Sequence, residues 1–186
     1  MGSCWICEEN ERHAVGECEG AVAELETGWV RLHRRQRYRG QAFFVARECV
    51  REVYHLDTET RATHLAELAE VAAAIDSTFG PVKMNIESLG NGIPHLHWWL
   101  TPRYEDEPRL KSPIWENLDF LREMWTDTGW TDSMSLAQDA ERLRSELARR
   151  GLVASFGWQG YPPLYRPRSG KRIRTIEKGA SDASGV

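Results

Sequence analysis

The sequence predicts an α+β fold: five short strands, one long helix packed on the sheet they form, and a helical C-terminal extension. Three observations carry this. Short runs rich in β-branched and aromatic residues alternate with turn-prone residues between positions 21 and 102. One run, 57–80, instead carries its apolar residues at helical spacing. Past Tyr104 a charged, Pro-containing stretch leads into two further helical segments.

The elements follow in order. Residues 1–18 form a Cys-containing head. AVAELE (21–26) and WVRLHR (29–34) read as strands split by Thr27-Gly28. Arg37 to Gly40 suggest a turn, and QAFFVARE (41–48) is a third strand with an apolar centre. Asp57 is a candidate N-cap, with Glu59 in the first turn. Leu65, Leu68, Ala72, Ile75 and Phe79 then form a stripe that Gly80-Pro81 ends, as expected of a helix lying on a sheet. VKMNIES (82–88) and PHLHWWLTP (94–102) are two more strands, joined by the loop LGNGI. Ser112–Trp125 and Ser133–Arg150 look helical, the second carrying Leu136, Ala140, Leu143 and Leu147. The expected organisation is a domain over 1–104, a helical extension over 105–150 packed on it, and an irregular, partly disordered basic tail over 151–186. Trp115, Trp125, Trp130 and Trp158 are expected to pack the extension on the core or a partner, or else to form a lid. Arg166, Arg168, Lys171, Arg172 and Arg174 make a patch that is either solvated or touches phosphates.

Composition excludes some classes of function. A net charge of −4 argues against general nucleic-acid binding. No run approaches the roughly 20 apolar residues of a membrane span. MGSCWICEENER has neither the basic start nor the apolar run of a secretory signal, so a cytoplasmic setting is expected. There the four cysteines stay reduced, and Cys4-Trp-Ile-Cys7 reads as a metal-binding or redox pair rather than a disulfide, with buried free thiols as the alternative.

The stretch IPHLHWWLTPR (93–103) carries the most chemistry. In a strand, His95, His97, Trp99 and Thr101 share one face, while Leu96, Trp98 and Leu100 face the helix. Two imidazoles on one face can bind a metal, transfer protons or attack as nucleophiles, or simply be surface histidines. Upstream, Gly90-Asn91-Gly92 can bring backbone N–H groups close to a phosphate.

At these residues the sequence resembles the histidine triad (HIT) superfamily of nucleotide hydrolases and transferases. The likeness runs through NIESLGNGIPHLHWWLTPRY (85–104) and back through FFVARECVREVYHLDTET (43–60) and RLHRRQRYRGQAFFVA (31–46). It implies an antiparallel sheet with the main helix on one face and the site on the other. It implies a homodimer that takes a nucleotide or nucleotide conjugate as substrate. The middle histidine of the family motif, here His97, would attack the α-phosphorus and form a covalent nucleotidyl-histidine. Gly90, Asn91, Gly92 and Asn85 match positions near the nucleotide phosphate and ribose.

Two positions depart from the pattern. Trp99 replaces the third histidine, so it either shrinks the phosphate pocket, stacks on a flat substrate, or marks a lost activity. Arg35 stands where related hydrolases often carry an acidic residue. Arg34, Arg35 and Arg37 are expected to form a solvated basic turn, or else to meet a phosphate.

The resemblance also bears on the cysteines. In the HIT proteins that carry CxxC, the remaining zinc ligands are a histidine before the helix and the first triad histidine. Here these fall on Cys49 and His95, so Cys4, Cys7, Cys49 and His95 are the expected ligands of a structural zinc. Cys18 is left as a plain thiol, and His13, His33, His55 and His64 as surface or hairpin histidines. The expected function is a nucleotide phosphoanhydride or phosphoramidate hydrolase or nucleotidyltransferase. The rivals are a nucleotide-binding protein impaired in catalysis and a zinc-stapled interaction module.

Overall fold

β-branched and aromatic residues on alternating faces build the sheet; the computed structural model describes residues 4–14, 17–125 and 133–152. The strands are β1 (Ala21–Glu24), β2 (Gly28–Leu32), β3 (Ala42–Ala46), β4 (Lys83–Glu87) and β5 (His97–Arg103). They lie in the order β1-β2-β3-β5-β4, and every neighbouring pair is antiparallel. The helices are α1 (Trp5–Ala14), α2 (Thr58–Phe79), α3 (Leu118–Trp125) and α4 (Ser133–Arg149). The fold is α+β, as the sequence predicts.

Asp57 caps α2 by accepting from the Glu59 and Thr60 amides, and Gly80 ends it in the left-handed region at φ 66°. The inner face of α2 buries Leu68, Val71, Ala72 and Ile75 against Val30, Leu32, Phe44 and Leu100 of the sheet. Leu136, Ala140, Leu143 and Leu147 of α4 join the same core, so this helix packs beside α2 and over β1. Buried Arg144 donates to the Ala21 and Val22 carbonyls, a polar anchor for the same contact.

Three predicted features differ. The head is helical: α1 docks through Ile6, through an Asn10 amide bonded to the Ala46 carbonyl, and through His13 tilted on Trp29. The expected stripe on α2 is rotated, because Leu65 is 43% exposed whereas His64 is fully buried. β5 starts only at His97: Pro94 has no N–H to give a ladder, and the Leu96 amide bonds to the Val50 carbonyl outside the sheet. The remaining tail, together with Trp130 and Trp158, lies outside the described residues. Among those described, no helix is long and apolar enough to cross a membrane.

The rotation of α2 has a polar cause. The Trp98 indole N–H donates to His64 Nε2 at 3.0 Å. His64 Nδ1 must then carry the proton and donate to Thr27 Oγ1 at 2.8 Å. The Thr27 hydroxyl in turn donates to Glu67, which also accepts from the Glu26 and Thr27 amides. Each donor meets an acceptor, so this buried chain is satisfied only while His64 is neutral. His13 and His64 are therefore interior residues, contrary to the surface assignment; burial lowers His64 to about 4 and His13 to about 3.

A pH dependence follows. Unfolded His64 takes up a proton near its ordinary 6.5, while the folded residue resists down to about 4. Between these values the unfolded state binds more protons, so stability is full above about pH 6.5 and falls as pH drops toward 4. Urea midpoints measured across that range should fall with acid. They should fall less in His64→Gln, whose amide can keep both bonds and does not titrate. Identical pH curves for the two proteins would contradict the assignment.

Candidate functional site

Cysteines at the start of α1, in the loop after β3, and a histidine just before β5 meet at one point. Cys4 precedes α1, Cys7 lies in its first turn, and Cys49 follows β3. The ligand atoms of Cys4, Cys7, Cys49 and His95 all lie within 4.8 Å of one another. Cys4 Sγ is 3.4 Å and Cys7 Sγ 3.7 Å from His95 Nδ1. A tetrahedral centre with metal–sulfur bonds of about 2.3 Å spaces its ligand atoms by roughly 3.5–3.8 Å, so the donor set fits a divalent metal.

The surroundings of the cluster agree. His95 is fully buried, and its Nε2–H donates to the Ala46 carbonyl at 2.8 Å, which leaves the Nδ1 lone pair facing the thiols. Burial keeps this imidazole below its ordinary range, in the neutral form a ligand needs. Burial, then Cys49 and Cys4, push the Cys7 thiol up. That is what gathering three thiols without a cation does, and a bound metal reverses it. Cys18 stands apart with a weak contact to the Glu19 carbonyl.

His97 opens β5, opposite Val45 of β3, and is half-buried. Its ring nitrogen Nδ1 lies 2.6 Å from the His95 carbonyl oxygen. A carbonyl can only accept, so Nδ1 carries the proton and Nε2 keeps its lone pair. That is the tautomer of a nucleophile. The expectation that His95 and His97 share a strand face is corrected here. His95 turns inward to the cluster before the strand begins, yet its carbonyl orients His97. The candidate metal ligand and the candidate nucleophile are therefore tied through one residue.

The sheet face of His97 also carries Trp99 and Thr101, with Phe43 across from Trp99 on β3, and Asn85 and Glu87 across from Thr101 and Trp99 on β4. Trp99 meets Phe43 edge-on at 4.6 Å and His33 at 5.6 Å. It joins a cluster around buried Tyr38 and Ile114 that includes Trp115 and Leu121. Its indole is packed into protein on this side, so the segment after β5 lies over the site face. The Asn85 carbonyl oxygen accepts from the Arg103 guanidinium at 2.7 Å, which leaves its two amide N–H groups for an acceptor. Asn91 and Gly92 are exposed and Gly90, at φ 58°, is half-buried in the loop leading toward His97. In the hairpin, Arg34 pairs with Glu19 at 2.6 Å at the surface.

Two residues of this face were not singled out in the sequence. Arg31 is buried over the Phe43 ring, with its guanidinium carbon 5.6 Å from the centroid, and pairs with Glu9. Glu87 accepts from the Trp115 indole at 3.0 Å. Strand alternation through WVRLHR and VKMNIES was the available signal for both. A cleft of about 600 Å³ lined by Arg37, Tyr38, Arg39, Phe79, Tyr104 and Asn117 lies at the other end of β5 from His97; of the residues that the sequence offered for a phosphate, Arg37 alone lines it.

Comparisons with known proteins place this geometry. Residues 17–106 match the family model described as HIT domain. No curated protein matches the chain. Among solved structures, the chain is similar to a histidine triad protein from Bradyrhizobium japonicum at 21% identity and TM-score 0.58, covering 69% of this chain and 91% of that one. A hypothetical histidine triad nucleotide-binding protein from Sulfolobus tokodaii is 16% identical, with TM-score 0.58 and coverage of 83% and 100%. A Zn-bound histidine triad family protein from Mycobacterium smegmatis is 18% identical, with TM-score 0.56 and coverage of 80% and 96%. At these identities the likeness establishes the fold.

Proposed function

We propose, from the match of residues 17–106 to the HIT domain model, that this chain is a HIT domain protein and a nucleotide hydrolase or nucleotidyltransferase acting through nucleotidyl-His97. The observation that carries the reading is the His97 tautomer: Nδ1–H is held by the His95 carbonyl, and Nε2 is left with its lone pair. Attack by Nε2 on the α-phosphorus expels the leaving group and splits one displacement into two easier ones. Charge on the phosphoryl oxygens meets the amide of Asn85 and the backbone of Gly90, Asn91 and Gly92. Trp99 lines this site as an apolar wall.

Cys4, Cys7, Cys49 and His95 are the proposed ligands of a zinc ion, supported by the gathered donor set. Four protein ligands leave no open position, so its role is structural. It would pin α1 and the chain before β5 and so hold His97. A cytoplasmic setting keeps the three thiols reduced. A homodimer is proposed from β4, whose outer edge is unpaired among the described residues. Val82, Ile86 and Leu89 on and beside that edge are 56%, 43% and 53% exposed, an apolar border suited to a second copy. The proposal includes neither a membrane nor general nucleic-acid binding.

One observation favours a second reading, a nucleotide-binding protein without turnover. The third triad position offers only a packed indole, with no proton to give a leaving group. Product analysis on adenosine phosphoramidate, dinucleoside polyphosphates and nucleotide sugars separates the two. Release of a nucleoside monophosphate, or its transfer to an added acceptor, supports catalysis. Binding of nucleoside monophosphates with no product from any substrate supports the second reading.

A further inference from the structure

We infer that Glu87 is a catalytic residue of this site, the base that draws a proton from the water resolving nucleotidyl-His97. The inference rests on the nucleotidyl-His97 reading and adds the group that completes it. Glu87 is directly opposite Trp99 in the β4–β5 register, so its side chain shares the site face at the position where a triad histidine is missing. One carboxylate oxygen accepts the Trp115 indole N–H at 3.0 Å. The other, Oε2, is buried and has no hydrogen-bond partner among the described residues. A buried carboxylate oxygen is costly to leave unmatched, so one held ready on a catalytic face calls for a donor from a ligand.

The spacing suits a water. His97 is the diagonal neighbour of Glu87 across the strand pair, a spacing of about 7–8 Å with the Cβ atoms somewhat closer. Among the described residues the two side chains make no hydrogen bond to each other, so a phosphoryl group and one water can stand between them. The step balances. The water oxygen bonds to phosphorus and the P–Nε2 bond breaks. Its electron pair returns to His97, which keeps its Nδ1 proton, and one water proton passes to the Glu87 carboxylate and then to solvent. Trp115 acts as a positioning residue: its N–H fixes the carboxylate, which links the segment after β5 to the second half of the reaction.

The test follows formation and decay of the His97 adduct separately by rapid-quench mass measurement, in the wild-type chain and in Glu87→Gln. The glutamine keeps an acceptor for Trp115 but cannot take a proton. Formation should be preserved, which also reports a folded site, while decay slows by about 10²–10³-fold. Wild-type decay should rise with pH and level off, and the variant should lose that dependence. Equal decay rates and pH profiles in the two proteins overturn the role of Glu87 alone, as does a wild-type adduct that never decays in water. No adduct in the wild-type chain overturns the His97 reading, and this role with it.

Discussion

Replacing His97 by alanine is expected to abolish the covalent adduct and to lower kcat/KM by about 10⁴–10⁶, the scale seen when a nucleophile is removed. Its neighbours do not replace it. Trp99 cannot attack phosphorus, His95 is buried with Nδ1 turned to the thiols and Nε2 bonded to Ala46, and His33 packs on Trp99 and Phe43 with Nδ1 at the Arg35 backbone. The fold should tolerate the change, because His97 is half-buried and its ring makes a single hydrogen bond among the described residues, to the His95 carbonyl. Steady-state kinetics on whichever substrate turns over, with a thermal melt of both proteins, checks the pair of expectations. Turnover within about tenfold of wild type would remove His97 from the mechanism.

Cys7→Ser is expected to have the largest effect on stability. Loss of one thiolate from a four-ligand site releases the proposed zinc, and a ligand bound at about a thousand times its Kd contributes roughly 4 kcal/mol. For a chain of this size that corresponds to a fall in Tm of about 8–16 °C. The loss should concentrate where the cluster is the fastener: α1 and the loop carrying Cys49 would loosen, and His95 would no longer be fixed ahead of β5. Activity should therefore fall with stability although Cys7 touches no substrate. Cys18→Ser is the control, since that thiol lies outside the cluster and should change neither zinc content nor Tm appreciably. Metal analysis and melting of the two variants beside wild type measure this. Equal metal content and equal Tm for wild type and Cys7→Ser would remove the metal from the account.

How much of this was legible in sequence differs by element. The five strands and α2 were readable because their apolar residues repeat with a clear period and end at Gly, Pro or Asp signals such as Asp57 and Gly80. α4 was readable for the same reason: Leu136, Ala140, Leu143 and Leu147 fall on one face and are all buried. α1 was not, because WICEENERHA has no apolar stripe. It docks through Asn10, His13 and the cysteines, contacts that no periodicity records. His64 was missed because its burial is justified by Thr27 and Trp98, both distant in sequence.

The site shows the same division. The four cluster residues were drawn from the resemblance and are brought together in space, as are His97 and Asn85 on one face. That His95 leaves the strand and only its carbonyl serves His97 depends on Pro94 and on a bond to Val50, which strand alternation ignores. The contact between Trp115 and Glu87 spans 28 residues and two different segments, so nothing local announces it. Glu87 is therefore read from geometry, whereas His97 could be read from pattern.

Catalysis as proposed requires that His97 Nε2 form a bond to the phosphorus of a nucleotide. The most direct measurement is the intact mass of the protein after a rapid quench that avoids acid, followed by peptide mapping, with the same substrate panel and a His97→Ala control. A mass increase of one nucleotide is expected on the peptide carrying His97, absent in the control. An unmodified protein under conditions where product is being released, or an adduct that persists in His97→Ala, would contradict it.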